Sequence, residues 1–207
     1  MLISVTGFIG SGKDTISDYL VANHNFKRES FAGHLKDAIA MIFRWDRELL
    51  EGKTIEGREW REKVDTWWAE RLQIPHLTPR WVLQYWGTEV CRHGFHDDIW
   101  IASLQNKLRK TNENIVISDC RFPNELKMVN HLNGKTIQVS RGDKPDWYPL
   151  AIAANSGIQE ASEDLQRLGV HASETAWIGT EFDIEILNDG TLEELYAEID
   201  YFLKIWN

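Results

Sequence analysis

A short apolar run, Leu2 to Val5, meets glycine almost at once, and the stretch that follows reads Gly7-Phe-Ile-Gly10-Ser11-Gly12-Lys13-Asp14-Thr15. Beyond it, Ile16, Tyr19 and Leu20 recur on one helical face. The order is strand, glycine-rich loop, helix, and few folds accommodate it in that sequence. Glycines let backbone N–H groups turn inward around phosphate oxygens, the helix N-terminus favours negative charge, and a lysine in the place of Lys13 reaches the β- and γ-phosphates. Gly10, Ser11, Gly12, Lys13, Asp14 and Thr15 are therefore expected to hold the phosphates of ATP. In the commoner form of this loop a Ser or Thr follows the lysine and holds Mg²⁺. Asp14 stands there instead, and Thr15, one place later, becomes the candidate Mg²⁺ ligand.

The rest of the chain alternates between strand-like and helix-like stretches. Ile115–Ile117 and Thr136–Val139 read as buried strands, separated by Asn124–Leu132 with Met128, Val129 and Leu132 at helical spacing, which makes a βαβ unit. A last strand is expected over Phe182–Leu187. It leads through Asn188, Asp189 and Gly190 to a capping box between Thr191 and Glu194, and to a helix turning Leu192, Leu195, Ile199, Phe202 and Leu203 inward. From Phe31 to Arg109 the pattern is largely helical, with Pro79 after Thr78 as a helix start. This block and its edge carry Trp45, Trp60, Trp67, Trp68, Trp81, Trp86 and Trp100, which at helical spacing read as core more readily than as ligand contacts. Gly142–Gly179 is less regular, with a helix expected over Ala161–Leu168, and is too short for a core of its own.

These readings converge on one domain, 1–207, in the α/β class. It is a P-loop three-layer sandwich with a parallel sheet of about five strands, a helical acceptor-binding insertion over about 45–110 and a small lid over about 142–179. With 207 residues, 43% of them hydrophobic, one substantial core is affordable. A net charge of -9 argues against broad binding to nucleic acid or anionic membranes, both of which are driven by clustered positive charge. Cys91 and Cys120 stand in no C-x-x-C spacing, so reduced thiols are expected rather than a disulfide framework or zinc site. No basic leader and no run of about 18 apolar residues is present, and the expected compartment is the cytoplasm.

Among loop-and-lysine proteins, a GTPase switch is disfavoured because the Asn106-Lys107 pair continues Leu108-Arg109 rather than N-K-x-D. The strand over Ile115–Ile117 runs on to Asp119-Cys-Arg121 rather than to the Asp-Glu pair of a motor ATPase. Asp119 lies where open α/β sheets gather their ligands and is a second candidate for Mg²⁺, held through water. Arg121 would stabilise transferring phosphate.

In their order along the chain, Gly10-Ser-Gly-Lys-Asp-Thr15, Phe31-Ala-Gly-His-Leu-Lys36-Asp37, Arg80-Trp-Val-Leu-Gln-Tyr-Trp-Gly87-Thr88-Glu89, Asp98-Ile-Trp100, Asp119-Cys-Arg121 with Glu125, His171-Ala-Ser-Glu174 and Asn188-Asp-Gly-Thr-Leu-Glu-Glu-Leu195 resemble the bacteriophage deoxynucleoside monophosphate kinases, within the P-loop nucleoside monophosphate kinase superfamily. The resemblance implies transfer of the ATP γ-phosphoryl group to the 5'-phosphate of a deoxynucleotide, with Mg²⁺, and for a phage protein the host cytoplasm. It implies that Lys36, Arg58, Arg80, Gly87, Thr88, Trp100, Arg121 and Glu125 bind the acceptor, and that Asn188 and Gly190 lie against adenine. Lys13, Asp119, Arg121 and Arg141 would carry the chemistry, with Arg58 and Arg80 gripping the acceptor phosphate and Arg141 closing over the transferring group.

An acceptor phosphate with its second pKa near ~6 is already ionised at neutral pH and needs no general base, so positioning and charge neutralisation do most of the work. Cations in the motif segments suit that mechanism, and His171, beside a short helix start, reads as a capping or structural residue before it reads as a catalytic partner of Glu174. Trp100 is expected to fill the volume that a 2'-hydroxyl would need. Two other functions compete. One is a hydroxyl-directed kinase resembling dephospho-CoA kinase, with Asp14 or Asp119 as base. The other is a noncatalytic ATP-binding regulator. A homodimer is compatible with either course.

Overall fold

Alternation along the strands sets the architecture. Ile3 and Val5 of β1 (Leu2–Thr6) are in register with Val116 of β3 (Asn114–Ile117) and Ile137 of β4 (Lys135–Ser140), so one face of the sheet is continuously aliphatic. The structure is a computed structural model and describes residues 1–206. Its elements, in chain order, are β1, α1 (Lys13–Asn23), β2 (Phe26–Glu29), α2 (Gly33–Phe43), α3 (Arg47–Glu51), α4 (Ile55–Glu62), α5 (Thr66–Leu72), α6 (Pro79–Tyr85), a π-helix (Trp86–His93), α7 (Ile99–Leu108), β3, α8 (Pro123–His131), β4, α9 (Tyr148–Asn155), α10 (Gln159–Arg167), α11 (Ala172–Thr175), β5 (Ile184–Leu187) and α12 (Leu192–Trp206).

The chain divides into two compact units, one formed by Met1–Glu29 with the chain from Thr111 onward, the other by Ser30–Lys110. In the first, five parallel strands lie in the order β2-β3-β1-β4-β5. The aliphatic face packs on Ile16 and Leu20 of α1 and on Leu195, Ile199 and Leu203 of α12. Each of these buried side chains stabilises the fold by roughly 1.5–3 kcal/mol. Buried Leu126, Met128 and Val129 on α8 lie outside that cluster, and α8 packs against β1 and β4. The α/β P-loop sandwich expected from the sequence is thus the observed architecture, and β1, β3, β4 and β5 fall on the expected stretches.

Three details differ. The fifth strand, β2, reads Phe26-Lys-Arg-Glu29, with one apolar residue, and exists because it pairs with β3 at the sheet edge. The last strand begins at Ile184, since Asp183 turns its carboxylate back to the backbone N–H and hydroxyl of Thr136. Leu192 is not inward but 53% exposed, because the Thr191–Glu194 capping box forms and sets the helix phase so that Leu195, Ile199 and Leu203 face the sheet.

The second unit is helical. Leu35, Ile39, Phe43, Trp45, Leu50, Leu77 and Val82 form its core, with Trp60, Trp68, Trp81, Trp86 and Trp100 packed against them. Trp67 departs from the core reading: it is 61% exposed and edge-on to Trp68. The helical insertion expected over about 45–110 lies within this unit. Among the described residues, no helix is long and apolar enough to cross a membrane.

Candidate active site

The phosphate loop joins β1 to α1 at the C-terminal end of the central strand, where the order of connections reverses and open α/β sheets hold their ligands. Gly7 and Gly12 are there for space, whereas Gly10 is open and supplies a positive φ of 80°. A Cβ on Gly7 would sit 2.1 Å from the carbonyl oxygen of Val139. One on Gly12, at φ 110°, would meet Asn188 Nδ2 at 2.4 Å. The loop is therefore pressed against the ends of β4 and β5, and Asn188, just past β5, donates from Nδ2 to the carbonyl of Ser11 at 2.9 Å in a buried bond. Gly12 is the residue before α1 and brings no side-chain cap, so the first N–H groups of the helix stay available to an anion.

Lys13 folds over this loop. Its Nζ donates to the carbonyls of Gly7 at 2.8 Å and Phe8 at 2.6 Å. Burial, joined by the nearby Arg121 guanidinium, lowers its pKa, while Asp14 and Glu174 act in the opposite sense. Gly10, Gly12, Lys13, Asp14, Thr15, Arg141, Asn188, Gly190 and Leu192 line one cavity of about 500 Å³. The structure thus brings together the expected ATP residues other than Ser11, which is buried and does not line the cavity, with Arg141 from beyond β4, and adds Leu192. The exposure of Leu192 gives that cavity an apolar rim, which its place in a helix-period pattern could not disclose. Asp14, itself exposed, lies 3.3 Å from the largely covered Arg28 in an ion pair.

Beside the loop, Asp119 and Arg121 follow β3. Thr6 on β1 donates its hydroxyl to the carbonyl of Cys120 at 3.3 Å, tying the two strand ends. Burial, with Glu125 and Asp119 adding negative charge, pushes the Cys120 thiol well up. Glu125, 3% exposed, accepts the backbone N–H groups of Arg121 at 2.7 Å and Phe122 at 3.1 Å, and so fixes the turn that carries Arg121. The side chain of Arg121 donates from Nη1 to Glu174 at 2.8 Å. Glu174 thereby enters the site from α11, a contact between distant segments that local sequence does not reveal. His171 is the N-cap of α11, accepting from the backbone N–H of Ser173 at 3.2 Å, as its position suggested.

The remaining expected acceptor residues belong to the second unit. Lys36 on α2 pairs with Glu51 at 2.7 Å. Arg58 on α4 donates from Nε to the carbonyl of Gly52, and Arg80 on α6 pairs with Glu62 at 3.1 Å. Arg58 and Arg80 are both close enough to Arg61 to help lower its pKa, after the larger effect of its burial. Arg61 Nε is buried without a hydrogen-bond partner. Arg61 joins Arg58 on one face of α4 at helical spacing, the one sequence signal that could have singled it out. Gly87 is buried in the π-helix, Thr88 beside it is exposed, and Trp100 Nε1 donates to the carbonyl of Gly87 at 3.0 Å. Among the described residues, no group of three or more His, Cys, Asp and Glu side chains is arranged to hold a metal ion.

Comparison with known proteins finds a mimivirus protein assigned by name to the deoxynucleotide monophosphate kinases, 32% identical over 96% of this chain and 94% of its own length. The deoxynucleoside-5'-monophosphate kinase of Escherichia phage T5 is 24% identical over 68% of the chain and 77% of its own length. The deoxynucleotide monophosphate kinase of Enterobacteria phage T4 is 22% identical over 99% of both. Among solved structures, a shikimate kinase from Aquifex aeolicus and a dephospho-CoA kinase from Campylobacter jejuni each align with a TM-score of 0.46 and 14% identity, over 99% and 100% of this chain and 96% and 97% of theirs. Likeness of that degree decides nothing between phosphate and hydroxyl acceptors. No protein-family model matches the chain.

Proposed function

Because this chain belongs to the deoxynucleotide monophosphate kinase family, we infer that it transfers the γ-phosphoryl group of ATP to the 5'-phosphate of a deoxynucleoside monophosphate, giving the deoxynucleoside diphosphate and ADP. One observation carries this reading: the likeness runs through both compact units rather than stopping at the phosphate loop. Phosphate loops alone are shared by many unrelated activities.

In this reading the loop amides from Gly10 to Thr15 and the Lys13 ammonium take the phosphates of ATP, with Asn188, Gly190 and Leu192 toward the nucleoside. Mg²⁺ arrives with ATP as part of the substrate, and neutralises charge on the phosphates. Thr15, which carries a hydroxyl, lines the cavity with Lys13, and Asp119 supplies a carboxylate two residues before Arg121. Both are the hard oxygen donors this ion takes.

The Arg121 guanidinium and Arg141 hold the transferring group, and Lys36, Arg58 and Arg80 the acceptor phosphate, joined by Arg61. A planar guanidinium fork suits each of these tasks. Because the acceptor is already ionised, no side chain has to remove a proton, and Asp14, exposed and paired with Arg28, is poorly disposed to do so. Trp100, packed beside Gly87, fills the space of a 2'-hydroxyl. The segment over about 142–179 covers the site and excludes water, which limits idle ATP hydrolysis. The test is product identification. ATP labelled with ¹⁸O on its γ-phosphorus, incubated with a deoxynucleoside monophosphate, should yield a diphosphate carrying the label on its β-phosphorus. Label appearing only in inorganic phosphate contradicts transfer.

A further inference from the structure

Phe8 occupies a place in the phosphate loop where no chemistry asks for an aromatic ring, yet its ring packs against three others. It meets Trp147 at 5.6 Å, Tyr148 at 6.2 Å and Trp177 at 4.9 Å between centroids, all in edge-to-face fashion. These partners are the first and last parts of the covering segment: Trp147 and Tyr148 open α9, and Trp177, 3% exposed, follows α11. The two ends are stitched to each other by Asn155, whose Nδ2 donates to the carbonyls of Thr175 at 2.7 Å and Ile178 at 2.8 Å. Glu174 lies next to Thr175 and accepts from Arg121 Nη1. At the other end of the same residue, the backbone carbonyl of Phe8 takes the Lys13 ammonium. One residue thus links the lysine of the loop to the arginine beyond β3, through packed aromatics, two amide hydrogen bonds and an ion pair.

We propose that Phe8 is a positioning residue for phosphoryl transfer: its ring seats the covering segment on the phosphate loop, and that seat sets Glu174 against Arg121 so that the guanidinium is held in one orientation before the phosphates arrive. The proposal rests on the kinase reading for its consequence in turnover, but the mechanical link stands apart from it. Edge-to-face contacts contribute through geometry as well as area, so a smaller or unringed side chain at position 8 loosens the seat without emptying a core. A misplaced charge of this kind lowers the chemical step more than nucleotide binding, because the group acts on charge that develops in the transition state.

The experiment is a double-mutant cycle with a structural readout. In Phe8→Ala, kcat with a deoxynucleoside monophosphate should fall about tenfold while the KM for ATP stays within about threefold, and Phe8→Tyr should restore most of the loss. Glu174→Gln should show the same split. The double variant Phe8→Ala/Glu174→Gln should be no slower than about twofold below the slower single, because both act through one contact. Should Phe8→Ala fold poorly, Phe8→Leu takes its place in the cycle. Hydrogen–deuterium exchange, with no nucleotide or acceptor added, should show residues 172–178 exchanging faster in Phe8→Ala and at the wild-type rate in Phe8→Tyr. Multiplying losses in the cycle, or unchanged exchange over 172–178, overturns the proposal. Wild-type protein inert toward every deoxynucleotide overturns the kinase reading instead, and leaves the exchange result to decide the link between Phe8 and α11.

Discussion

Single residues in this protein owe their roles to what presses on them. Lys13 is held by two loop carbonyls and half enclosed, so Lys13→Ala removes the cation to which the proposed function assigns the β- and γ-phosphates, while sparing the core. Turnover should drop by about 10²–10³, with the thermal midpoint little moved; steady-state kinetics beside a melting curve checks both. Gly12→Ala acts by a different route. Its Cβ has no room beside Asn188, and φ 110° is strained for any L side chain, so ATP affinity should collapse and calorimetric titration should show no binding at concentrations that saturate wild type. At Trp100 the expected effect is on selectivity: Trp100→Ala should narrow the ratio of deoxy- to ribonucleotide turnover, and an unchanged ratio removes the ring from that role.

Elements show how charge is managed. In the second unit, α3 supplies Glu51 to Lys36 of α2 and to Arg47. Burial alone would raise the Glu51 carboxyl, but the hydrogen bonds and charges of Lys36 and Arg47 outweigh it and hold the pKa at about 2 against an ordinary 4.5. A carboxyl depressed on folding stabilises fully above its unfolded pKa and loses that contribution as pH falls through its folded one. The Glu51 contribution, about 2–3 kcal/mol, should therefore be intact above pH 5 and fade between about 4.5 and 2. Urea unfolding of Glu51→Gln against wild type across that range should show a gap that closes on acidification; a constant gap would mean that the ionised carboxylate is not what stabilises. In the first unit, the tie from Asn188 to Ser11 joins the end of β5 to the loop. Asn188→Ala leaves a buried carbonyl unmet and should cost about 1–3 kcal/mol of stability, read from the same kind of unfolding curve.

At the scale of the whole molecule, the first unit was legible wherever a segment carries its own signal. β1, β3, β4 and β5 are short aliphatic runs bounded by turn residues, and the glycine loop announces itself by spacing. β2 was not, because Phe26-Lys-Arg-Glu29 is a strand by virtue of its neighbour, and pairing at a sheet edge leaves little trace in composition. The π-helix that carries Gly87 and Thr88 has no local signature either. Within the candidate site, the residues named from motifs were those with backbone tasks or fixed spacing. Glu174 stood out in its motif but its pairing with Arg121 did not, and Leu192 and Arg61 escaped, because what matters about them lies in contacts made across long stretches of chain, or in a helix phase set by a cap. The roles proposed for these residues all require the acceptor to be a phosphate. The most direct test is ADP release with ATP and Mg²⁺ against each deoxynucleoside monophosphate, the matching ribonucleotides, dephospho-CoA and no acceptor. Release that depends on deoxynucleoside monophosphates and is near background without them is the predicted result; release with dephospho-CoA alone, or none with any acceptor, would contradict it.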